Sequence, residues 1–121
     1  MKRLIGLLVA VLMITALASC STVTIPNSAE AQKKLEKLGY VVNVSVQYGD
    51  KVSAYNVKQV TKLTADKGDD FVEVYFFTSE EDTNNFYDMK AKSFSSGVEV
   101  VKKNTYSIYR GTQKAVDDFL G

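Results

Sequence analysis

The chain has 121 residues, with 15 Lys and Arg, 14 Asp and Glu, one Cys, one Pro and no His. This length suffices for one domain and is too short for two. A formal charge of +1 gives no broadly basic surface, so we expect no nucleic-acid partner. The missing His excludes imidazole metal sites and His-based triads, and a single Cys excludes an intramolecular disulfide.

The N-terminus has the pattern of a secretory signal. Met1-Lys2-Arg3 is cationic, and residues 4–17 form an uncharged, mainly apolar run. A helix that spans a membrane needs about 20 apolar residues, so this run is short for a permanent membrane anchor. A cationic start, an apolar run and small residues at its end are typical of a signal peptide, which we place at residues 1–19.

The end of the run, Leu17-Ala18-Ser19-Cys20, resembles the lipobox of bacterial lipoprotein precursors, in which an aliphatic residue and two small residues precede a Cys. The resemblance covers residues 1–20. It implies that a diacylglyceryl group is attached to the Cys20 thiol and that a signal peptidase cuts between Ser19 and Cys20. An ordinary signal peptide with a coincidental Cys is the alternative.

The same resemblance implies a location. Lipid on Cys20 would hold the mature protein to a membrane outside the cytoplasm, because two or three acyl chains make a stable anchor. In a one-membrane bacterium this is the outer leaflet of the cell membrane. In a two-membrane bacterium Ser21, which is not Asp, implies the outer membrane.

Residues 20–27 are interpreted as the lipidated Cys and a tether, because they are polar or β-branched and contain the only Pro. The remaining residues, 28–121, are predicted to form a single small domain. Its first element is a helix, since Asn27 and Glu30 have the spacing of a capping box and Gly39 suits a left-handed cap. One face of that helix carries Ala31, Leu35 and Leu38.

Three strands are predicted next. Residues 40–48 alternate apolar and polar side chains, which predicts a strand with one apolar face. Residues 51–56 fit no single element. Residues 57–65 favour a strand with irregular alternation, which a bulge or an edge position would explain. Residues 71–77 are apolar except at Glu73, which indicates a central strand that is partly buried on both faces.

A second helix follows the central strand. Ser79 can cap its start by accepting a hydrogen bond from Asp82, three residues later. Its buried stripe is expected to consist of Phe86, Met89 and Phe94. We expect Val74 and Phe76 of the central strand to be buried beneath this helix, in contact with Phe86.

A hairpin over residues 98–110 that turns at Asn104, and a last helix capped by Thr112, complete the predicted order α-β-β-β-α-β-β-α. Short connections between consecutive strands favour antiparallel pairing. We therefore predict an α+β domain with a mainly antiparallel sheet of four to five strands and two to three helices. The helices are expected on one face, which gives two layers and leaves the other face wetter.

The carboxylates form no recognisable catalytic or metal-binding pattern. A calcium loop needs oxygen ligands at alternate positions, a central Gly and a Glu at position twelve, and residues 66–70 lack this spacing. The acidic clusters at 66–70 and 80–82 are interpreted as a solvated turn and as helix capping. No catalytic residue, cofactor or metal ligand is predicted.

Aromatic side chains are numerous, with seven Tyr and six Phe. Four of them lie on or near predicted strands and form a candidate binding face: Tyr48, Tyr55, Tyr106 and Tyr109. Half-exposed Tyr on a sheet brings contact area at low entropic cost. The alternative is that Tyr simply suits β-strands.

The sequence is compatible with two classes of function. The first is a membrane-anchored lipoprotein whose domain is a non-catalytic binding module for a protein, a peptide or an envelope component. The alternative is a small envelope hydrolase or enzyme inhibitor that uses carboxylates or Tyr. A concave site with two facing carboxylates would favour the hydrolase, and a flat sheet face with Tyr would favour binding.

Overall fold

The computed structural model describes residues 24–121, apart from the side chains at 91 and 92. The predicted signal peptide, the lipobox and the first part of the tether lie outside the described residues. The elements that it describes are, in chain order, α1 (Ser28–Lys37), β1 (Val41–Tyr48), two turns of 3₁₀ helix (Gly49–Lys51 and Ser53–Tyr55), β2 (Gln59–Lys67), β3 (Asp70–Phe77), α2 (Glu80–Phe94), β4 (Val100–Lys103), β5 (Ser107–Gly111) and α3 (Gln113–Leu120). The domain is α+β, and its order of elements is the predicted one. None of these helices is long and apolar enough to cross a membrane.

The five strands form one antiparallel sheet in the order β1-β2-β3-β5-β4. β3 is central, as predicted, and β1 and β4 are the two edges. The register between β1 and β2 is unbroken from Val41 opposite Asp66 to Tyr48 opposite Gln59. The bulge or edge position that was considered for residues 57–65 is therefore wrong, because β2 is a regular internal strand that starts only at Gln59.

Helices cover both faces of the sheet, so the predicted two layers are in fact three. The face that we call the α1/α3 face buries Ala31, Leu35, Tyr40, Leu63, Ala65, Val72, Val74, Tyr109, Ala115, Val116 and Phe119. The opposite face, the α2 face, buries Val52, Val57, Val60, Tyr75, Phe77, Phe86, Phe94 and Ile108. Side chains of β3 point alternately to the two faces and are apolar on both, so neither face of that strand can remain in water.

The two-sided core corrects the expected packing under α2. Val74 is buried as predicted, but it lies on the α1/α3 face, and Phe76 shares that face and is only half-buried. Phe86 of α2 packs instead on Tyr75, with 5.3 Å between the ring centroids. Met89 is largely exposed and does not belong to the buried stripe of α2.

The predicted caps of the first helix are confirmed. Asn27 Oδ1 accepts from the Glu30 N–H at 2.8 Å, and Glu30 Oε1 accepts from the Asn27 N–H at 3.2 Å, which is a complete capping box. Gly39 adopts a φ of 96°, and the Tyr40 N–H donates to the Leu35 carbonyl at 3.0 Å. This pair of features ends α1 and turns the chain into β1.

The caps of the other two helices differ from each other. Ser79 Oγ accepts from the Asp82 N–H at 3.1 Å, which confirms the cap of α2. Thr112 stands at the N-cap of α3, but its hydroxyl makes no capping bond there and accepts from the Phe71 N–H at 3.2 Å. The Gln113 N–H of α3 donates to a Glu99 carboxylate oxygen at 2.9 Å, so a residue distant in sequence supplies the acceptor.

Replacement of two Phe residues should distinguish the two faces. We expect Phe86→Ala to lower the free energy of unfolding by about 3–5 kcal/mol, because it empties a buried position among several rings. Phe76→Ala removes the same side chain from a half-buried position and should cost clearly less. Denaturant unfolding followed by circular dichroism measures both values. Equal losses would contradict the burial of Phe86 on the α2 face and the half-buried position of Phe76 on the α1/α3 face.

Candidate functional site

The two edges of the sheet differ in how they are protected. β4 has four residues and ends in Lys102 and Lys103, and charged residues on a short edge strand discourage pairing with another chain. β1 has eight residues, and none of them is charged or a Pro. A long, regular edge strand without these protections offers its outward N–H and C=O groups to another extended segment.

Apolar side chains accompany the unprotected backbone of β1. Val42, Val44, Val46 and Tyr48 alternate onto the α1/α3 face, opposite Ala65, Leu63, Thr61 and Gln59 of β2. Val42 packs against the buried cluster. The other three are exposed by 37%, 50% and 67%, respectively, and we call them the β1 strip. An apolar strip beside open backbone groups is the arrangement that binds extended peptides by strand addition.

The opposite side of the same strand is polar except at Val41, which is 67% exposed. Asn43, Ser45 and Gln47 alternate with the β1 strip and therefore point to the α2 face of the sheet. Ser45 is exposed and pairs with Lys62 of β2. β1 thus offers a partner strand one apolar side and one uncharged, mainly polar side.

The predicted tyrosine face is assembled only in part. Tyr48 ends β1 and belongs to the strip. Tyr106 is 57% exposed and lies just before β5, at the same end of the sheet. The two residues are separated by three strand spacings, about 14 Å at 4.7–4.9 Å each. They therefore lie at one end of the sheet without forming a continuous patch.

The other two tyrosines pack inside the domain. The Tyr55 ring lies 5.1 Å from the ring of Phe86 and is partly buried on the α2 face. Tyr109 pairs with Val74 and is buried on the α1/α3 face, 5.6 Å from the ring of Phe119. The prediction that Tyr109 is a binding residue is therefore wrong, because helices cover the α1/α3 face at that position.

The acidic clusters contain one buried carboxylate. Asp66 and Asp69 are exposed at the turn between β2 and β3. Asp82, at the start of α2, is buried and accepts from the Lys58 N–H at 3.0 Å, which ties α2 to the approach to β2. Among residues 24–121, no group of three or more Asp, Glu, Cys or His side chains is arranged to hold a metal ion.

Glu73 and Arg110 form a charged pair on the α2 face. Arg110 Nη1 donates to Glu73 Oε1 at 2.6 Å, and Arg110 Nε donates to the Phe94 carbonyl at 2.9 Å, so the pair holds the end of α2. The Tyr75 hydroxyl donates to the same Glu73 oxygen at 3.4 Å. Burial, followed by the Glu73 charge, raises the pKa of Tyr75 to about 12. These contacts have a structural role.

A second polar cluster joins the start of β1 to α3. The Tyr40 hydroxyl donates to Asp118 Oδ2 at 2.7 Å, and Lys114 Nζ lies 3.2 Å from the same oxygen. The Tyr40 hydrogen bond is the main cause that lowers the pKa of Asp118, and burial raises the pKa of Tyr40. Lys67 Nζ donates to the Leu38 carbonyl at 2.7 Å beside this cluster. The cluster therefore fixes the corner where α1 passes into β1.

Comparison with known proteins adds no relative: no family model, curated protein or solved structure matches the chain. The interpretation of the exposed edge strand β1 therefore depends on the geometry of this chain alone. β1 was recognised in the sequence as an alternating strand, but nothing in the alternation showed that it would be an edge.

The stability of the domain should depend on pH through Asp118. Its pKa is lowered in the folded state, so its contribution is complete above the unfolded value of about 3.9 and is lost as the pH falls through the folded pKa. Asp118→Asn should therefore be less stable than wild type at pH 7, with a gap that narrows below about pH 4.

Denaturant unfolding at pH 7 and at pH 3 measures this gap. Tyr40→Phe is the matched control, because it removes the hydrogen bond that contributes most to the low pKa of Asp118. In the Tyr40→Phe background, Asp118→Asn should change the pH dependence less. A gap between wild type and Asp118→Asn that is the same at both pH values would contradict this role of Asp118.

Proposed function

We propose that the chain is the precursor of a membrane-anchored bacterial lipoprotein whose domain, outside the cytoplasm, is a non-catalytic binding module. The module binds an extended segment of a protein or peptide partner along β1. The observation that carries this proposal is the eight-residue edge strand, which has no charge and no Pro and which exposes the β1 strip. An exposed apolar surface beside unpaired strand backbone is typical of interaction sites.

Binding at β1 combines two kinds of contact. An added strand pairs with the outward N–H and C=O groups, which supplies affinity without dependence on sequence. Side chains of the partner cover the β1 strip and supply preference for apolar residues at alternate positions. Complete burial of a Val or similar side chain contributes about 1.5–3 kcal/mol, so each half-exposed residue of the strip would contribute about 1 kcal/mol.

The position of Ile25 bears on the anchor. Ile25 falls within the predicted tether, yet it packs against the buried cluster of the α1/α3 face. The Ile25 side chain therefore belongs to the packed domain. Five residues from Cys20 to Ile25 span at most about 17 Å, so an anchored domain would lie close to the bilayer.

Lipid attachment is tested at the proposed site of modification. We expect Cys20→Ser to abolish the incorporation of labelled fatty acid and to release the protein from its mature membrane-bound form, because the acyl group needs the thiol. Ser19→Ala is the matched control, since it keeps a small residue before the Cys and should be labelled normally. Metabolic labelling and membrane fractionation give the result, and continued labelling of Cys20→Ser would overturn the anchor.

Binding at the edge strand is tested by cross-linking in the membranes of the producing cell. A photo-reactive residue in place of Val46 should give an adduct, because Val46 lies in the middle of the β1 strip. The same residue in place of Met89, which is exposed on α2 on the other face, is the control and should give none. Addition of Val44→Lys should remove the Val46 adduct, since a charge on an edge strand opposes pairing. Equal adducts at both positions, or none at position 46, would contradict a docking role for β1.

A further inference from the structure

We propose that the segment bound by β1 is β1 of a second copy of this chain, so that two five-strand sheets join into one continuous sheet about a two-fold axis. This inference rests on the proposed function, since it names the partner of the same edge strand. The evidence is the match of β1 with itself in register and in charge, together with the position of Ile25.

Register is the first argument. A two-fold axis normal to the sheet keeps the α1/α3 faces of both copies on the same side, so even-numbered residues must pair with even-numbered residues. An axis through Ser45 pairs residues 42–48 of one copy with residues 48–42 of the other. Val44 then lies opposite the partner's Val46, and Val42 lies opposite the partner's Tyr48. Every apolar side chain of β1 on this face meets another apolar side chain, and such cross-strand pairs stabilise a sheet.

Polar positions agree with the same axis. Ser45 lies opposite the partner's Ser45, and Asn43 lies opposite the partner's Gln47, all on the α2 face. Moving the axis by one residue to Val46 would place Val42 opposite the partner's Asp50 and would shorten the pairing. Moving it to Val44 would place Tyr48 opposite the partner's Tyr40, which is buried and hydrogen-bonded to Asp118. The Ser45 centre therefore pairs seven of the eight residues of β1, including the whole β1 strip, without involving Tyr40.

Charge separates the two edges of the sheet. β1 carries no charged residue, so a two-fold pair of β1 strands brings no like charges together. A two-fold pair of β4 strands centred on Lys102 would place the two Lys102 side chains opposite each other. Like charges directly opposite in a sheet destabilise the pairing. Self-pairing is therefore favoured at β1 and opposed at β4.

The position of Ile25 is the third argument. Ile25 packs against the buried cluster of the α1/α3 face, and the two-fold axis keeps both α1/α3 faces on one side of the joined sheet. Ile25 of both copies would then lie on the same side of the pair. Two lipid anchors in one bilayer need this arrangement. Anchoring in one plane also raises the effective concentration of the second copy, which favours a modest interface.

A cysteine on the two-fold axis tests the pairing in the full chain within its membrane. Residues directly opposite in an antiparallel pair have Cα atoms about 4.5–5.5 Å apart, which is within the range of a disulfide. Ser45 is exposed, so the new thiol of Ser45→Cys is accessible. On mild oxidation this variant should give a reducible band at twice the mass of the chain. Wild type should give no such band, because the Cys20 thiol of the anchored chain is occupied by lipid.

Asn43→Cys is the matched control for register. Its copies would lie about 14 Å apart, at four residues of about 3.4 Å each, so it should give no disulfide alone. When Asn43→Cys and Gln47→Cys chains are produced together, the disulfide between the two different chains should form. Equal cross-linking of Ser45→Cys and Asn43→Cys would indicate random collision and would overturn the two-fold pair.

The outcomes distinguish this inference from the proposed function. A photo-adduct from position 46 with a different protein, without a Ser45→Cys disulfide, would keep β1 as a docking strand and overturn the second copy as its partner. Absence of both the adduct and the disulfide would overturn both. A Ser45→Cys disulfide together with an adduct at twice the mass of the chain supports both.

Discussion

The arrangement of this domain depends on one constraint, which is that the central strand β3 is apolar on both faces. Val72 and Val74 point to one side, and Tyr75 and Phe77 point to the other. Both sides must be kept from water, so three helices of 10, 15 and 8 residues are divided between two faces. α1 contacts the edge strand β1, but the helices leave Val44, Val46 and Tyr48 partly or largely exposed. Exposure of the β1 strip is therefore a consequence of how the core is built.

β5 holds the other elements to this centre. Gly111 passes so close to β3 that a Cβ atom would collide with the Phe71 carbonyl oxygen, so a side chain at this position would force the strands apart. Arg110 on the same strand bonds Glu73 of β3 and the carbonyl of Phe94 at the end of α2. One short strand thus sets the distance to the central strand and the position of the helix on the α2 face.

Local signals in the sequence predicted the elements well, because caps and alternation depend on neighbouring residues. The capping box at Asn27 and the cap at Ser79 are examples. The sequence did not predict which face each helix covers or which strand is an edge, because both depend on contacts between distant segments. Tyr109 shows the difference: its place on a strand was predictable, but its burial depends on α3, which follows it in the chain. The same is true of β1, whose pattern would suit an internal or an edge position.

The exposed side chains of β1 are not required by the core. Val44 and Val46 belong to neither buried cluster and are 37% and 50% exposed, so a Lys in place of Val46 would protect the edge without opening the core. The other edge, β4, does carry such residues at Lys102 and Lys103. Apolar side chains kept where packing does not need them indicate contact with another surface.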